Sequence, residues 1–328
     1  PTVFNTKQVD FDGVDDYLKA NITIGSFTGS FSCWIKRDDN TGEQFIADFR
    51  GLGGTGTGYV YFPNSDILSV SSGTPYVDGV QTATVPTDGH WHLVVIKGIT
   101  LNLTENILFG MQFPQALYLD GQMSQVGLWN STLTADEVSS LYNHGLPVDL
   151  KTNQAAYTSS SNLVGYWRMG SGTLDSYPLI ADQTNATLGS ELVTNGNFTG
   201  VTNGTDVITL SGWGAYGSPT SRNVVDNKLV IVATGGNQGA IYTVGSLSGT
   251  YKLSVDVTGD VGAGAIYIES PASYNITTSV GTVDYYFVAS GTTSIYFRAA
   301  SNSAGTTSYT NISVKQVNGN PAIMTNMT

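Results

Sequence analysis

The sequence predicts an all-β chain, folded as two tandem β-sandwiches with one short helix near residues 135–142. Three observations support this prediction. Only 12% of the 328 residues are charged, 39 residues are glycine, and the 18 tyrosines outnumber every other aromatic type. Short runs of alternating apolar and polar residues recur between turn-forming residues, which is typical of antiparallel sheets with short connections. A chain of 328 residues suits two domains of ordinary size.

A first module is predicted over residues 1–188. Its clearest strand lies within FSCWI, where Phe31, Cys33 and Ile35 share one face, as the two-residue period of a strand requires. Further strands of this module are expected at 8–11, 44–50, 59–62, 67–70, 91–97, 107–111, 125–129 and 162–169. Short strands at this spacing indicate a sandwich.

The helix of the first module is expected over residues 135–142. Thr134 stands at the N-cap position and Glu137 follows three residues later. In this spacing each side chain accepts a hydrogen bond from the other residue's backbone N–H, which forms a capping box. Asn143 and Gly145 are expected to close the helix, because both residue types tolerate a left-handed backbone.

A second module is predicted over residues 189–317, followed by an aperiodic tail at 318–328. Its strands are expected at 228–232, 240–244, 251–257, 265–269, 283–289, 294–299 and 309–316. The run SIYFRA shows the alternation well, since Ile295 and Phe297 share the inward face. Tyr296 is therefore expected to face solvent.

Three segments of the first module resemble a known family. Residues 117–145, LYLDGQMSQVGLWNSTLTADEVSSLYNHG, resemble the end of a laminin-G-like, or concanavalin A-like, jelly roll. Residues 9–18, VDFDGVDDYL, and 90–96, HWHLVVI, resemble its opening strand and its central strand. The resemblance implies a jelly roll over 1–188 with a binding or structural role, although the fold alone names no ligand.

The second module carries a different resemblance. Residues 191–198, ELVTNGNF, followed by Gly212 and Trp213, resemble the opening of family 4/9-type carbohydrate-binding jelly rolls. This resemblance implies a second jelly roll over 189–317. The tail resembles a stretch that resumes the first jelly roll in related proteins of phage and marine virus particles. The second module is therefore either an insertion near the end of the first, or the sequence is part of a longer chain.

Composition excludes several classes of function. The net charge is −12, and the 13 basic residues are scattered, so nucleic-acid binding is not expected. The sequence has no apolar run of about 18 residues, so no membrane insertion is expected. The start, PTVFNTKQ, lacks the features of a secretory signal. Cys33 is the single cysteine, and a chain without disulfides fits synthesis in a host cytoplasm followed by assembly into an extracellular particle.

The sequence does not predict an enzyme. Glycoside hydrolysis needs two carboxylates on one face. The five glutamates are Glu43, Glu105, Glu137, Glu191 and Glu269. None of them forms a pair spaced for one strand face, and the capping box accounts for Glu137. No catalytic residue is therefore assigned.

Calcium is the one metal considered, and no other cofactor is expected. Both of the resembled folds often carry calcium, which takes oxygen ligands. The candidate ligands are Asp12, Asp15, Asp16 and Asp120. Each of them can instead cap a turn.

Sugar binding fits the sequence better than metal chemistry does. A sugar site combines aromatic rings, which stack on C–H faces, with charged and amide groups that bond hydroxyls. The candidates are Trp213, Tyr216, Tyr267, Glu269, Tyr296 and Arg298. The alternative is that Trp213 fills the edge of the core and that the tyrosines are ordinary surface residues.

Together these features favour a non-enzymatic bacteriophage virion protein at the particle surface. It would be a capsid (head) decoration, tail-fibre or spike component that binds host surface glycans and other virion proteins. A homo-oligomer is expected, and trimers are common among such proteins. Two alternatives remain: a polysaccharide-degrading enzyme with an appended binding module, and a purely architectural particle protein.

Overall fold

The computed structural model describes residues 7–114, 117–235, 237–259, 265–270, 272–299 and 304–327. The first six residues, which belong to the segment assessed for a secretory signal, lie outside this part. The described chain forms two compact units. Unit 1 comprises the described residues up to Thr187 together with those from Asn318 onward, and unit 2 is Leu188–Val317.

Unit 1 contains most of its strands before the second unit begins. They are β1 (Val9–Asp12), β2 (Tyr17–Asn21), β3 (Gly25–Arg37), β4 (Glu43–Asp48), β5 (Tyr59–Pro63), β6 (Ser69–Val70), β7 (Thr74–Val77), β8 (His92–Leu103), β9 (Asn106–Phe109), β10 (Met111–Gln112), β11 (Leu117–Tyr118), β12 (Asp120–Trp129), β13 (Leu163–Trp167) and β14 (Leu179–Ile180). The helix α1 spans Ala135–Tyr142, and short 3-10 turns occupy Asn143–Gly145 and Ser160–Asn162.

Unit 2 follows with eight strands, and one more strand returns to unit 1. The strands of unit 2 are β15 (Trp213–Tyr216), β16 (Ser221–Val225), β17 (Lys228–Ala233), β18 (Gly239–Gly259), β19 (Ala265–Ser270), β20 (Ala272–Thr277), β21 (Gly281–Arg298) and β22 (Gly305–Gln316), with a 3-10 turn at Val207–Thr209. The returning strand is β23 (Ala322–Thr325).

Two antiparallel sheets pack face to face in unit 1. One runs β1-β12-β3-β8-β7 with β13 beside β12, and the other runs β14-β23-β2-β9-β4-β5-β6. Side chains from both sheets form one core, in which Phe31 meets Phe49 edge to face at 5.5 Å between ring centroids. Cys33 lies in this core, where burial raises the pKa of its thiol. The prediction of an all-β chain built from β-sandwiches is confirmed.

The helix forms as its sequence predicts. Thr134 accepts from the backbone N–H of Glu137 at 3.2 Å, and a carboxylate oxygen of Glu137 accepts from the backbone N–H of Thr134 at 2.8 Å. Asn143 adopts the left-handed conformation at the C-terminal cap. Val138 and Leu141 are buried and join a second core cluster that covers the outer face of the six-stranded sheet. Among the described residues, no helix has the length and apolar character to cross a membrane.

The described part of the predicted tail, residues 318–327, belongs to unit 1, which corrects the interpretation of 318–328 as a separate tail. Within it, β23 pairs with both β14 and β2 in the seven-stranded sheet of unit 1. Ala322 is fully buried there. A strand of four residues is too short to show a periodic pattern in the sequence. Unit 2 is inserted within unit 1, and at the base of the insertion the backbone N–H of Asn318 donates to the Thr187 carbonyl at 3.0 Å.

One continuous sheet forms both layers of unit 2. Its order is β16-β17-β22-β18-β21-β19-β20, with β15 beside β18. Gly245 and Gly249, which have φ angles of 119° and 110°, lie within the long strand β18, whose pairing with β21 shifts register between Thr243 and Gly245. Before them β18 pairs with β15, and after them it pairs with β22. Because Phe297 packs on Tyr309 across one core, at 5.2 Å between ring centroids, the sheet folds over on itself as a sandwich.

Candidate functional site

Three tyrosines form a continuous strip on the outer face of unit 2. Tyr296 on β21 lies directly opposite Tyr267 on β19, with 5.2 Å between ring centroids and 70° between ring planes. Tyr216 on β15 meets Tyr296 in the same way, at 5.0 Å and 80°. All three rings are partly exposed. With Glu269 and Arg298 they form what we call the tyrosine face.

Strand alternation explains why these rings point away from the core. Ile295 and Phe297, the neighbours of Tyr296 along β21, are fully buried, so Tyr296 faces solvent as predicted. Tyr216 lies opposite Gly239 in the register. A Cβ at Gly239 would lie only 1.9 Å from the Phe297 carbonyl oxygen, so only glycine fits this close approach of two strands.

Glu269 lies at one end of the tyrosine face. Its carboxylate accepts a hydrogen bond of 2.5 Å from the hydroxyl of Tyr296. This bond and partial burial raise the pKa of Tyr296 to about 12. The phenol therefore stays protonated at neutral pH and holds the carboxylate in a fixed position.

Arg298 lies near the other end and is held by two amides. Its Nη1 donates to the side-chain oxygen of Asn237 at 3.0 Å, and its Nη2 donates to that of Asn275 at 3.2 Å. The guanidinium carbon lies 5.8 Å from the ring centroid of Tyr267, within the range of a cation–π contact. Sequence analysis missed both asparagines. Asn275 joins the site only because β20 pairs with β19 opposite Tyr267, and no local pattern signals that pairing.

Trp213 does not belong to the face, and this prediction is corrected. Its side chain is only 8% exposed. Its ring packs against Phe198, Tyr242 and Phe297, at 5.7, 5.1 and 5.6 Å between centroids. Trp213 is therefore a core residue at the first position of β15. This agrees with the alternative interpretation of the sequence, in which Trp213 fills the edge of the core.

The structure brings three of the four calcium candidates together in unit 1. Oxygen atoms of Asp12, Asp15 and Asp16 lie within 4.8 Å of one another, in the turn between β1 and β2. Asp12 accepts from the backbone N–H of Val14 at 2.8 Å, and Asp16 accepts from that of Asp12 at 3.2 Å. These carboxylates therefore also stabilise the turn.

The fourth candidate, Asp120, lies opposite Asp12 in the pairing of β1 with β12. The two line a cavity of about 260 Å³ together with Asp10, Phe11, Asp16, Asp38 and Met327. Burial and the neighbouring carboxylates raise the pKa of Asp120 and of Asp16. A cation in this cavity would offset that repulsion, and carboxylate oxygens are suitable calcium ligands.

Replacing Asp120 by asparagine is expected to raise the melting temperature of unit 1 at pH 7. A carboxyl whose pKa is higher in the folded state than in the unfolded state destabilises the fold once the pH exceeds both values. The gain should disappear near pH 3, where the carboxyl is protonated in both states. Tryptophan fluorescence can follow this unfolding, since four of the five tryptophans lie in unit 1.

Calcium is expected to stabilise the wild-type chain through the same carboxylates. Millimolar calcium should raise the melting temperature, and the increase should be smaller in the Asp120→Asn variant. Asp226→Asn in unit 2 is the matched control and should keep the full increase. An equal response of wild type and Asp120→Asn would exclude Asp120 as a calcium ligand.

Comparisons with known proteins give distant similarities only. No protein-family model matches the sequence. No curated protein matches it. Among solved structures, a CBM4 module matches at 17% identity with a TM-score of 0.27, over 38% of this chain and 98% of that module.

Two further structures show the same level of similarity. A heptameric SAP-like pentraxin from Limulus polyphemus matches at 12% identity with a TM-score of 0.31, over 43% of this chain and 83% of the pentraxin. The tandem CBM22-1–CBM22-2 domain of Xyn10C from Paenibacillus barcinonensis matches at 9% identity with a TM-score of 0.28, over 91% of this chain and 81% of that one. These TM-scores are low, so the similarities carry no argument about function.

Proposed function

We propose that the chain is a non-enzymatic glycan-binding protein whose tyrosine face holds the sugar. The observation that carries this proposal is the strip of three partly exposed tyrosine rings, with a carboxylate at one end and a guanidinium at the other. Sugars present apolar C–H faces and many hydroxyls, and the strip offers a matching partner for each.

The polar groups of the tyrosine face are already fixed before a ligand arrives. Tyr296 holds Glu269, while Asn237 and Asn275 hold Arg298. A site ordered in advance loses little conformational entropy on binding. Tyrosine adds contact area at low entropic cost, because its side chain has only two rotatable angles.

The sequence resemblance extends this proposal to the surface of a virus particle. There the chain would act as a decoration, fibre or spike protein, contacting host glycans and other particle proteins as a homo-oligomer. Several copies on one particle would turn weak single sites into firm attachment through effective concentration.

One observation favours the enzymatic alternative. Asp12 and Asp16 lie in one cavity, and their pKa values move apart. A backbone hydrogen bond from Val14 lowers the pKa of Asp12, and burial raises that of Asp16. Such a pair can divide the acid and base roles of hydrolysis. Binding without cleavage is nevertheless preferred, since both carboxylates are engaged in their own turn and Phe11, the aromatic residue of that cavity, is buried.

Tyr296→Ala tests the proposal. We expect the tyrosine face of this variant to bind polysaccharide about 30-fold more weakly than that of wild type, since truncating a central aromatic anchor costs about 2 kcal/mol of binding free energy. Titration calorimetry with the bacterial capsular polysaccharide that binds wild type best would measure the loss. Tyr296→Phe keeps the ring and should lose much less affinity.

Val225→Ala is the control for the Tyr296 variants. Val225 is exposed on β16, in the other layer of unit 2, and its truncation should leave the affinity unchanged. Circular dichroism would verify that each variant is folded. A folded Tyr296→Ala variant that keeps every wild-type binding site at its wild-type affinity would overturn the assignment of the sugar to the tyrosine face.

A further inference from the structure

A second aromatic surface lies on unit 1, on the outer face of its seven-stranded sheet. Phe45 on β4 pairs directly with Tyr61 on β5, and Tyr59 lies two residues before Tyr61. These three rings belong to the outer face, because the residues that alternate with them, Ile46, Val60 and Phe62, are buried in the core between the two sheets.

The three rings are packed together in a defined way. Phe45 stacks on Tyr61, with 4.7 Å between centroids and 17° between planes, and is itself only 3% exposed. Tyr59 meets Tyr61 edge to face at 5.6 Å and 72°. Both tyrosines are partly exposed. Phe45 thus forms an apolar support for two tyrosines that reach solvent.

An oriented arginine completes this surface. The guanidinium carbon of Arg50 lies 5.5 Å from the ring centroid of Tyr59. Its Nε and Nη2 donate to the two carboxylate oxygens of Asp48 at 2.8 and 2.7 Å, and the Asp48 side chain is fully buried. This hydrogen bonding raises the pKa of Arg50. Nη1 has no hydrogen-bond partner among the described residues and is available as a donor.

A similar set of two tyrosines and one arginine occurs on the tyrosine face of unit 2. There Tyr267 and Tyr296 meet edge to face at 5.2 Å and 70°, and the arginine lies 5.8 Å from one of the rings. The carboxylates differ, because Asp48 is buried and paired with Arg50, whereas Glu269 is exposed and accepts a hydrogen bond from Tyr296. The two sets lie on different sheets of separate units, so a shared local fold does not account for the match.

We propose that Tyr59, Tyr61 and Arg50 form a second glycan-binding surface, which takes an uncharged segment of a polysaccharide. Asp48 balances the charge of Arg50, so this pair offers no net charge to attract an ionic group. The two rings instead offer apolar area, and their hydroxyls and Nη1 offer directional hydrogen bonds. The ligand class rests on the function proposed for unit 2, and the chain would then have two sites for one polymer.

Three variants of the full chain test this proposal: Tyr61→Ala, Tyr296→Ala and the two combined. Calorimetry with a short fragment of the polysaccharide that wild type binds should give two sites of wild-type affinity per wild-type chain and one such site per single variant. The double variant should show no site of wild-type affinity. On the immobilised polymer each single variant should dissociate at least 10-fold faster than wild type, because bivalent attachment is lost.

The outcomes separate this inference from the function proposed for unit 2. One site per wild-type chain, unaffected by Tyr61→Ala and removed by Tyr296→Ala, would overturn the second surface and keep the tyrosine face. One site removed by Tyr61→Ala and unaffected by Tyr296→Ala would overturn the tyrosine face and keep the second surface. An absence of binding by wild type would overturn both.

A second variant guards against misfolding of Tyr61→Ala. Tyr59→Phe combined with Tyr61→Phe keeps all the ring contacts and removes only the two hydroxyls. We expect it to weaken the unit 1 site at least threefold, and wild-type affinity at both sites would contradict the proposal. Val80→Ala, at an exposed position of unit 1, is the control and should bind at both sites like wild type.

Discussion

Replacing Trp213 by alanine is expected to lower the free energy of unfolding of unit 2 by about 4 kcal/mol. Trp213 is buried against Phe198, Tyr242 and Phe297. Its removal would leave a large cavity where β15 joins the sheet. Because Tyr216 lies at the other end of β15, glycan binding should fall as a consequence of unfolding.

Denaturant unfolding followed by circular dichroism would measure this loss. Trp213→Phe is the matched control, since it retains an aromatic ring in the same space, and it should keep both a folded unit 2 and its binding. A Trp213→Ala variant that folds with wild-type stability but no longer binds glycan would show that Trp213 contacts the ligand. That result would restore the role that its sequence context suggests.

Replacing Glu137 by alanine is expected to lower the free energy of unfolding of unit 1 by about 3 kcal/mol. Glu137 is 3% exposed. It accepts from the backbone N–H of Thr134 at 2.8 Å, from that of Thr158 at 3.1 Å, and from the hydroxyl of Ser159 at 2.6 Å. Its loss would leave these partly buried donors unpaired and would detach the connector after α1 from the helix.

The effect of Glu137 should depend on pH. Burial raises the pKa of its carboxyl, but the hydrogen bonds from Ser159, Thr134 and Thr158 outweigh burial and lower it overall. A lowered pKa in the folded state gives stability that is present above the unfolded pKa of about 4.3 and lost as the pH falls through the folded pKa.

Thermal melts of wild type and Glu137→Ala between pH 7 and pH 2.5 would test this dependence. The difference between their melting temperatures should shrink toward the acid end. Asp136→Ala, which removes an exposed carboxylate of the same helical turn, should change stability by a few tenths of a kcal/mol only. A difference that is constant with pH would mean that the charge of Glu137 contributes nothing.

The sequence predicts the features that local interactions determine. The bounds of the helix are predictable to the residue, because the hydrogen bonds between Thr134 and Glu137 form within a single helical turn. The outward direction of Tyr296 follows from the two-residue period of its strand. Most of the proposed sugar site can therefore be named before any sheet is assembled.

Features that depend on pairing between distant strands are not predictable in this way. Asn237 and Asn275 bind Arg298 from separate parts of the chain. Strand β23 pairs with both β14 and β2, although all of unit 2 separates it from them in the sequence. Trp213 is ambiguous for another reason. A tryptophan at the start of a short strand suits a sugar platform and a core equally well, and only the packing of Phe198 and Tyr242 around it decides.

The most direct test of glycan binding is one experiment on the intact chain. Wild type and Tyr296→Ala would be incubated with a panel of purified bacterial lipopolysaccharides and capsular polysaccharides, and both bound protein and released reducing sugar would be measured. The account predicts saturable binding of wild type to at least one polysaccharide, weaker binding of the variant, and no released sugar. Release of sugar would show an enzyme, and no binding to any polysaccharide would contradict the glycan-binding function.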